Sequence, residues 1–497
     1  MGRNIVRPVP YERSKEHEEM KVLVLNEPFV KGFCRTQRWA TRTRARVLRA
    51  PEWLAYATSV LKKYGHEALL FDFPARDWGK EELRKLVAKE QPDFVVLDST
   101  TPSIKSDIDC GRICKEVSKA KVIMVGPHAS ALPEETLKQS GERVDVIAIG
   151  EYDNTVKDIV ENFNDLEKIP GIVFWKENKP FRTVPRPLIE NLDELPFPAW
   201  DQLDIMKYYS GIRRYPYLTL IAGRGCPYRC TFCLWPQTMH GRKFRLRSAK
   251  NVVDEMEYTL KLFPQLRKGE FFFEDDTFTA VPKHAVDICE EILKRNLKIT
   301  FTVNARADIK DPKILRLLKR AGCRLFWVGY ESGNPEILEN IRKGVTPEEM
   351  ETFTRLVHEA GIKIHGCFAL GMPGETKKSI EETIRFALGL NLDSLQFSAA
   401  VPFPGTEYFN YCEEQKLLKD YCWDQWTEQG EQSGVIEYPG LTLKYLNKSV
   451  DRALTRFYYR PGQIFKMLTG TKNLYDFYRT VRGAYNYSTY LMKKYTG

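Results

Sequence analysis

Short apolar runs alternate with amphipathic segments along the first third of the chain. The apolar runs lie at residues 21–25, 68–71, 94–97, 122–125 and 144–149, and the segments of helical period at 54–64, 80–90, 104–120 and 133–140. Strands that alternate with helices predict a parallel sheet covered by helices on both faces. Ligands bind such sheets at the carboxyl ends of the strands, where this sequence places the loops 98–101, 126–130 and 150–152.

A second series of strands and helices begins near residue 217. Its apolar runs lie at residues 218–222, 269–274, 299–303, 324–330, 363–370 and 394–401, and its helical segments at 252–262, 286–294, 313–321, 347–360 and 378–388. Six β/α units are two fewer than a closed eight-stranded barrel requires. We therefore expect an open, partial (β/α)6 barrel that admits a large substrate from the side.

These patterns predict an α/β protein with five segments. They are a polar extension at residues 1–20, a flavodoxin-like (Rossmann-type) domain at 21–165, a proline-punctuated linker at 166–215, the partial barrel at 216–405 and a helical C-terminal cap at 406–497. Within the linker, residues 171–175 and 180–186 could pair as a hairpin.

The composition limits the function classes only broadly. The chain has 497 residues, 43% of them hydrophobic, which is enough for about three domains with filled cores. No apolar run approaches the roughly 18 residues that a membrane-spanning helix needs. The net charge of +10 permits contact with acidic partners but does not choose among nucleic acid, phospholipid and a phosphorylated substrate.

Three cysteines with C-x3-C-x2-C spacing, Cys226, Cys230 and Cys233, follow the first run of the second series. They supply three thiolates, one fewer than a closed [4Fe-4S] or zinc site uses. A cluster held by three cysteines keeps one iron open, which the amino and carboxylate groups of S-adenosylmethionine can chelate. An electron from the cluster would then cleave that molecule to a 5'-deoxyadenosyl radical, so the spacing predicts a radical enzyme.

Two other interpretations of the cysteines fit less well. A zinc knuckle could borrow Cys289 or Cys323, but zinc sites usually pair two C-x2-C elements and no second one follows. Disulfides are disfavoured because the 11 cysteines are an odd number and the N-terminus lacks the pattern of a secretory signal peptide. We expect a reducing cytoplasm, and an extra cluster that uses Cys110 and Cys114 stays open.

A flavodoxin-like domain ahead of a barrel with this cysteine loop resembles the cobalamin-binding radical S-adenosylmethionine family, over nearly all of residues 21–405. No G-x-G-x-x-G or Walker A loop follows the first strands, which disfavours a dinucleotide or a nucleoside triphosphate. The resemblance implies that cobalamin binds the N-terminal domain. The positions that match its cobalamin loops are Gly126, Pro127, His128, Ala129, Gly150 and Glu151.

One departure from many cobalamin proteins concerns the cobalt ligand. The D-x-H-x-x-G signature is absent, since no Asp stands two residues before any of the seven histidines. We therefore expect cobalamin without a protein imidazole on its lower face. A sheet domain that binds no cofactor and only docks on the barrel is the alternative.

Polar residues also follow the later barrel strands. A carboxylate of Glu274 or Asp275 suits the amino group of S-adenosylmethionine, although three adjacent acids also occur at helix N-termini. The guanidinium of Arg306 could hold the carboxylate of that cofactor. The resemblance implies further contacts of Phe232 and the Gly371–Pro373 turn with its adenine, and of Glu331 and Ser332 with its ribose and methionine. No acid–base residue is assigned.

The last ninety residues are rich in aromatic and basic side chains. They favour a helical cap on the barrel mouth with a solvated basic face, and they also suit peripheral contact with anionic lipid at the inner membrane face. Nucleic-acid binding ranks lowest because the segment has no compact recognition motif.

Residues 233–238, 245–248 and 456–461 resemble the hopanoid-biosynthesis-associated radical enzymes, which implies an elongated apolar lipid or terpenoid substrate. The first hypothesis is C-methylation of such a substrate by way of cobalamin, with flavodoxin or ferredoxin as the electron donor. Rearrangement or ring formation without methyl transfer is the second. A non-catalytic iron–sulfur protein, with four cluster ligands and no cofactor cleavage, is the third.

Overall fold

The computed structural model describes residues 18–36, 38–41, 47–418 and 435–469, together with 481, 483, 485 and 487–489. Nearly all of the predicted polar extension, and the basic residues Arg479, Arg482, Lys493 and Lys494 of the tail, lie outside the described residues. The described chain forms two large β-sheets flanked by helices and one short two-stranded sheet, followed by C-terminal helices.

The N-terminal sheet has seven strands in the order β2-β1-β3-β4-β5-β6-β7, of which the first five are parallel. The strands are β1 (Lys21–Asn26), β2 (Glu67–Asp72), β3 (Phe94–Asp98), β4 (Lys121–Val125), β5 (Val146–Ala148), β6 (Ile172–Lys176) and β7 (Lys179–Arg182). The helices are α1 (Glu52–Lys63), α2 (Phe73–Arg76), α3 (Lys80–Glu90), α4 (Ile104–Val117), α5 (Pro127–Ala131), α6 (Pro133–Ser140) and α7 (Asp153–Glu161). The 2-1-3-4-5 order confirms the flavodoxin-like prediction.

The hairpin of β6 and β7 extends this sheet. Its strands are antiparallel, and β6 pairs with β5 through Ile147 and Val173. The N-terminal sheet therefore reaches into the segment that the sequence predicts as a linker. The prolines and the short runs indicate a hairpin, but no local pattern shows which sheet edge accepts it.

The second sheet has six parallel strands in the order β15-β14-β13-β12-β11-β8. Its elements, with the short antiparallel pair β9 and β10, are β8 (Tyr217–Leu220), β9 (Gly223–Arg224), β10 (Arg245–Leu246), β11 (Glu270–Phe273), β12 (Phe301–Ala305), β13 (Cys323–Glu331), β14 (Lys363–Leu370) and β15 (Ser394–Ala399). The helices are α8 (Leu234–Thr238), α9 (Ala249–Leu262), α10 (Pro282–Lys294), α11 (Pro312–Ala321), α12 (Pro335–Asn340), α13 (Pro347–Glu359) and α14 (Lys377–Gly389). β8 and β15 remain the two edges, which confirms the partial barrel.

Among the described residues, three C-terminal helices follow the barrel, and the last two lie along the edge strand β15. They are α15 (Glu407–Glu414), α16 (Leu443–Tyr458) and α17 (Pro461–Thr469). The Tyr458 hydroxyl donates to the Leu395 carbonyl at 2.6 Å and accepts from the Leu395 N–H at 3.1 Å. The Gln463 amide donates to the Asp393 carbonyl at 2.8 Å. An uncovered edge presents unpaired backbone groups. Tyr458 satisfies those of Leu395 in β15, and Gln463 bonds the carbonyl of Asp393, the residue before the strand.

Length and hydropathy decide whether these helices could span a membrane. Across the described ranges, none of them combines the length and the apolar character that a transmembrane span requires.

Replacing Tyr458 with Phe should lower the free energy of unfolding by about 1–3 kcal/mol, because it leaves a buried backbone N–H and carbonyl of β15 without their partner. Chemical unfolding of the anaerobically purified protein measures this change. The neighbouring Tyr459→Phe is the control, since its side chain is 48% exposed and its hydroxyl is hydrogen-bonded to the Ser488 hydroxyl, not to the backbone of β15. Equal losses in the two variants would show that α16 does not seal the edge through Tyr458.

Candidate active site

A cavity of about 990 Å3 opens at the carboxyl ends of the barrel strands and is also lined by residues of α16 and α17. Seven of the residues predicted from the sequence line it, namely Cys226, Cys230, Phe232, Cys233, Glu274, Arg306 and Glu331. They come from the ends of four different strands, and the parallel topology brings these ends to one edge of the sheet.

The cysteine loop begins with a backbone turn that requires glycine. Gly225 has a φ of 89°, and a Cβ there would lie 2.3 Å from the Lys243 carbonyl oxygen. The loop then places the Cys226 Sγ 3.9 Å from the Thr277 hydroxyl and the Cys230 Sγ 3.8 Å from an Arg306 guanidinium nitrogen. The turn thus places the Cys226 and Cys230 thiols in the cavity, next to the loops that follow β11 and β12.

The surroundings of the thiols oppose their charged form. Burial raises the pKa of the Cys233 thiol to about 12, with Asp276, Cys230 and Cys226 acting in the same direction and the Arg38 guanidinium acting against them. Bound iron would reverse this balance, because a metal deprotonates its thiol ligands. Three thiols on one loop fit a cluster, because a cluster spreads its thiolate ligands over different irons.

The first two acids after β11 have different surroundings. Glu274 lines the cavity, and its Oε1 lies 2.7 Å from an Arg49 guanidinium nitrogen. Asp275 is 2% exposed and accepts a hydrogen bond from the Ala222 N–H at 3.0 Å. Burial raises the pKa of Asp275 to about 7. Asp275 therefore holds the backbone that leads into the cysteine loop and does not reach the cavity wall.

The third acid, Asp276, lines the cavity although sequence reasoning did not single it out. Its carboxylate lies 3.2 Å from an Arg38 nitrogen and 3.3 Å from His240 Nδ1. Burial opposes the charged form, but the His240 hydrogen bond and the Arg38 guanidinium outweigh it and lower the pKa of Asp276. Arg38 and Arg49 also escaped prediction, because they belong to the N-terminal domain and no barrel motif includes them.

Arg306 and Glu331 face the cavity and already have charged partners. The Arg306 guanidinium lies 3.6 Å from the Tyr228 ring centre and donates to the Asp308 carboxylate at 2.9 Å. Lys343, which is 5% exposed, donates to the Glu331 carboxylate at 3.0 Å. Glu331 has a φ of 67°, in the left-handed region that non-glycine residues rarely occupy. Strain of this kind is common at ligand sites.

Three other predicted residues do not line the cavity. The Ser332 hydroxyl lies 2.9 Å from the Thr383 hydroxyl. Gly371 donates its N–H to the Glu375 carboxylate, and the Pro373 carbonyl accepts from the Asn340 side chain. The structure places all three in turns that connect the strand ends of β13 and β14 to the helices that follow.

The predicted cobalamin loops meet at the carboxyl edge of the N-terminal sheet. Gly126 has a φ of 99°, and a Cβ there would lie 2.3 Å from the Asp98 carboxylate. Gly126 and Pro127 line a small gap that also touches Trp235 of the barrel domain. The Ala129 and Gly150 N–H groups donate to serine hydroxyls at 3.1 and 2.9 Å. The close neighbours of Gly126 belong to the end of β3, so this tight fit fixes the loop on its own sheet, whereas a Cβ on Gly150 would make an ordinary contact with the Met239 carbonyl oxygen at 3.5 Å. The position of both loops at the carboxyl ends of parallel strands is what fits a bound cofactor.

His128 and Glu151 have partners within the protein. His128 is 2% exposed, its Nδ1 lies 3.1 Å from the Thr101 hydroxyl, and burial lowers its pKa to about 3. Glu151 forms a two-point ion pair with Arg245 across the domain boundary, at 2.6 and 2.7 Å. Burial disfavours its charge, yet the bonds from Arg245 and the field of Arg224 lower the pKa of Glu151.

The second cysteine pair lies in a hydrophobic core. Cys110 and Cys114 are fully buried on α4 among the apolar residues that pack against the N-terminal sheet. Burial raises the pKa of the Cys114 thiol to about 12. Neither residue lines the cavity.

Comparison with known proteins identifies both domains. The Radical SAM superfamily matches residues 220–387, and the B12 binding domain matches residues 45–160. An uncharacterized methyltransferase of Pyrococcus horikoshii is 32% identical over 426 residues, which cover 84% of this chain and 89% of that protein. The hopanoid C-3 methylase of Methylococcus capsulatus is 23% identical over 380 residues, 75% of this chain and 70% of the methylase.

Solved structures share the same architecture. The radical S-adenosylmethionine methyltransferase TsrM from Kitasatospora setae, with cobalamin and a [4Fe-4S] cluster bound, has a TM-score of 0.68 at 20% identity and covers 90% of each chain. The cobalamin-dependent radical enzyme OxsB, with aqua-cobalamin and S-adenosylmethionine bound, has a TM-score of 0.70 at 18% identity, over 95% of this chain and 72% of OxsB. With these two domains and a relative along most of its length, this chain belongs to the cobalamin-dependent radical S-adenosylmethionine methyltransferases, whose cofactors are a [4Fe-4S] cluster, S-adenosylmethionine and cobalamin.

Proposed function

We propose that this enzyme transfers the methyl group of S-adenosylmethionine to an unactivated carbon of an apolar, lipid-like or terpenoid-like substrate. The observation that supports this most directly is the cavity, which places the cysteine loop at one end and Leu454, Tyr458 and Met467 of the C-terminal helices along its wall. Burying an apolar chain against such a wall contributes about 25 cal/mol per Å2. A polar head group would lie toward the charged strand ends.

Cys226, Cys230 and Cys233 hold the cluster in this proposal. When bound, the cluster and cobalamin supply one-electron cleavage of S-adenosylmethionine and the carriage of its methyl group. The residues around the thiols orient that molecule. Arg306, next to Cys230, binds its carboxylate through the guanidinium edge that faces the thiol. Phe232 packs against its adenine from within the cysteine loop.

Two carboxylates that line the cavity receive the amino and ribose groups. Glu274 and Glu331 are in place for this role because both line the cavity. We assign the neighbouring Asp276, and not Asp275, as the additional acid, since Asp275 is committed to the Ala222 N–H. Asp275, together with Ser332, Gly371 and Pro373, shapes the loops that carry the contact residues.

At the edge of the N-terminal sheet, Gly126 to Ala129 and Gly150 border cobalamin, and Glu151 anchors its loop. The neutral, internally bonded His128 supports a cobalt whose lower face has no protein imidazole. An external one-electron donor such as flavodoxin or ferredoxin reduces the cluster.

Ring formation without methyl transfer is the second candidate function. The anaerobic magnesium-protoporphyrin IX monomethyl ester cyclase of Rubrivivax gelatinosus favours it, since it is 29% identical over 383 residues, 75% of this chain and 68% of the cyclase. Both candidates use the same cavity and the same cysteine loop, so the fate of the methyl group distinguishes them.

Isotope labelling tests the methyl transfer. The anaerobically reconstituted protein, incubated with S-adenosylmethionine carrying a deuterated methyl group and with a panel of polyprenoid and triterpenoid lipids, should yield a product 17 mass units heavier than its substrate. Mass spectrometry detects the product, and the same reaction with unlabelled S-adenosylmethionine should give a product 14 mass units heavier. A substrate that is consumed without a mass increase of 17 units in the labelled reaction and 14 units in the unlabelled one would favour ring formation or rearrangement instead.

Loss of one cysteine of the loop tests the cluster ligands. Cys230→Ala should lose most of the iron and all 5'-deoxyadenosine formation, because a three-thiolate site has no spare ligand. Iron analysis and chromatography of the reaction measure both. The buried Cys289→Ala, away from the cavity, should keep both properties. Full iron loading of Cys230→Ala would rule out the assignment.

We further propose lipid contact as a secondary role of the C-terminal helices. Several large apolar side chains are exposed there, among them Phe465 at 70%, Tyr485 at 68% and Ile464 at 43%, and Ile464 lines the cavity mouth. Basic side chains such as Lys444 and Lys448 lie on the preceding helix, α16. Together they suit an anionic lipid surface that supplies an apolar substrate.

Vesicle sedimentation tests this contact. The intact protein should sediment with anionic but not with neutral vesicles, and less at physiological salt, where screening acts over about 8 Å. Phe465→Asp should reduce sedimentation at least fivefold, whereas Val184→Asp, at an equally exposed apolar side chain outside these helices, should not. Absence of sedimentation at low salt would leave the C-terminal helices as a cap alone.

A further inference from the structure

Four buried charged residues join the two domains beside the cysteine loop. Arg224 donates to both carboxylate oxygens of Asp153, at 2.6 and 3.1 Å, and Arg245 donates to both oxygens of Glu151, at 2.6 and 2.7 Å. Each of these side chains is at most 4% exposed. We call Glu151, Asp153, Arg224 and Arg245 the interdomain clamp.

The two sides of the clamp belong to the two cofactor-binding domains. Glu151 directly follows Gly150 in the predicted cobalamin loop, and Asp153 begins α7. On the barrel side, Arg224 ends β9, two residues before Cys226. The clamp therefore connects the two cofactor-binding loops directly, through hydrogen bonds between the arginines of one domain and the carboxylates of the other.

Packing fixes the orientation of Arg224. Its guanidinium carbon lies 4.9 Å from the Trp53 ring centre and 5.0 Å from the Tyr56 ring centre, both on α1 of the N-terminal domain. The next residue, Gly225, leaves no room for a Cβ beside the Lys243 carbonyl. Arg224 thus cannot shift without moving the start of the cysteine loop.

The other arginine connects the clamp to the cavity wall. Arg245 also donates to the His240 carbonyl at 2.9 Å, and the His240 ring lies 3.3 Å from the Asp276 carboxylate. Asp276 lines the cavity. The clamp therefore supports both the cysteine loop and the acid that faces it.

We propose that the interdomain clamp sets the distance and orientation of the cobalamin relative to the cluster, so that its four members are positioning residues. Buried ion pairs contribute little net stability, because the loss of hydration offsets their attraction. Their value is geometric, since a two-point guanidinium–carboxylate pair fixes angle as well as distance. Methyl and radical chemistry at two separate cofactors requires such a fixed geometry.

The magnetic interaction between the cofactors measures that distance directly. In the holoprotein, prepared so that the reduced cluster and cob(II)alamin are both paramagnetic, pulsed EPR should give one narrow distribution of cobalt–cluster distances. Asp153→Asn and Glu151→Gln keep the side-chain shape and remove the charge that the arginines hold. Each should at least double the width of the distribution while one cobalamin and one cluster remain bound.

Arg295→Lys is the matched control. Arg295 pairs with Asp254, Glu257 and Glu291 on the outer helices of the barrel, and among the described residues its hydrogen bonds and ion pairs all stay within the barrel domain, so the distribution should stay narrow. An unchanged width in a clamp variant that retains both cofactors would overturn the proposal. If Asp153→Asn fails to fold, Glu151→Gln decides, because Arg245 keeps its bonds to the carbonyls of Ile189 and His240. A clamp variant that binds both cofactors, but whose distance distribution is no broader than that of Arg295→Lys, also overturns the proposal.

Discussion

The functional chemistry of this protein depends on the docking of two sheets by the carboxyl ends of their parallel strands. In each sheet the β/α connections carry the ligand-binding loops to that edge. The two edges approach closely, since a Cβ on Gly150 would lie 3.5 Å from the Met239 carbonyl and one on Gly405 would lie 2.9 Å from the Ala131 side chain. This contact places the cobalamin loops and the cysteine loop on the two sides of one interface.

Two ion pairs cross that interface. Arg49 of the N-terminal domain meets Glu274 of the barrel, and Arg38 meets Asp276. Arg49 and Glu274 are both buried, and an unpaired buried charge costs several kcal/mol, so this pair opposes separation of the two domains. The wall of the cavity is therefore a joint product of both domains, and neither domain alone contains the complete site.

The open barrel makes room for a large cavity but leaves the edge strand β15 without a neighbouring strand on its outer side. Six strands leave a cavity of about 990 Å3, which a closed barrel filled by its own side chains would not contain. The free edge of β15 would attract other strands, and Tyr458 and Gln463 occupy it instead. α16 and α17, which carry these residues, also form part of the cavity wall. The helices that cover the edge of β15 therefore also shape the substrate site.

Local sequence patterns determined the two β/α series, the six strands of the barrel and the cysteine loop. Strand and helix periods, and the spacing of Cys226, Cys230 and Cys233, are properties of neighbouring residues, so they can be read without the fold. The identity of the cofactors followed from this spacing and from the family resemblance.

Only the tertiary structure decided which polar residues face the cavity. It places Asp276 there and turns Asp275 toward Ala222, and it adds Arg38 from a distant part of the chain. It also joins the hairpin to the N-terminal sheet and pairs Glu151 with Arg245. These outcomes depend on contacts between residues far apart in the chain, and such contacts leave no periodic or local trace in the sequence.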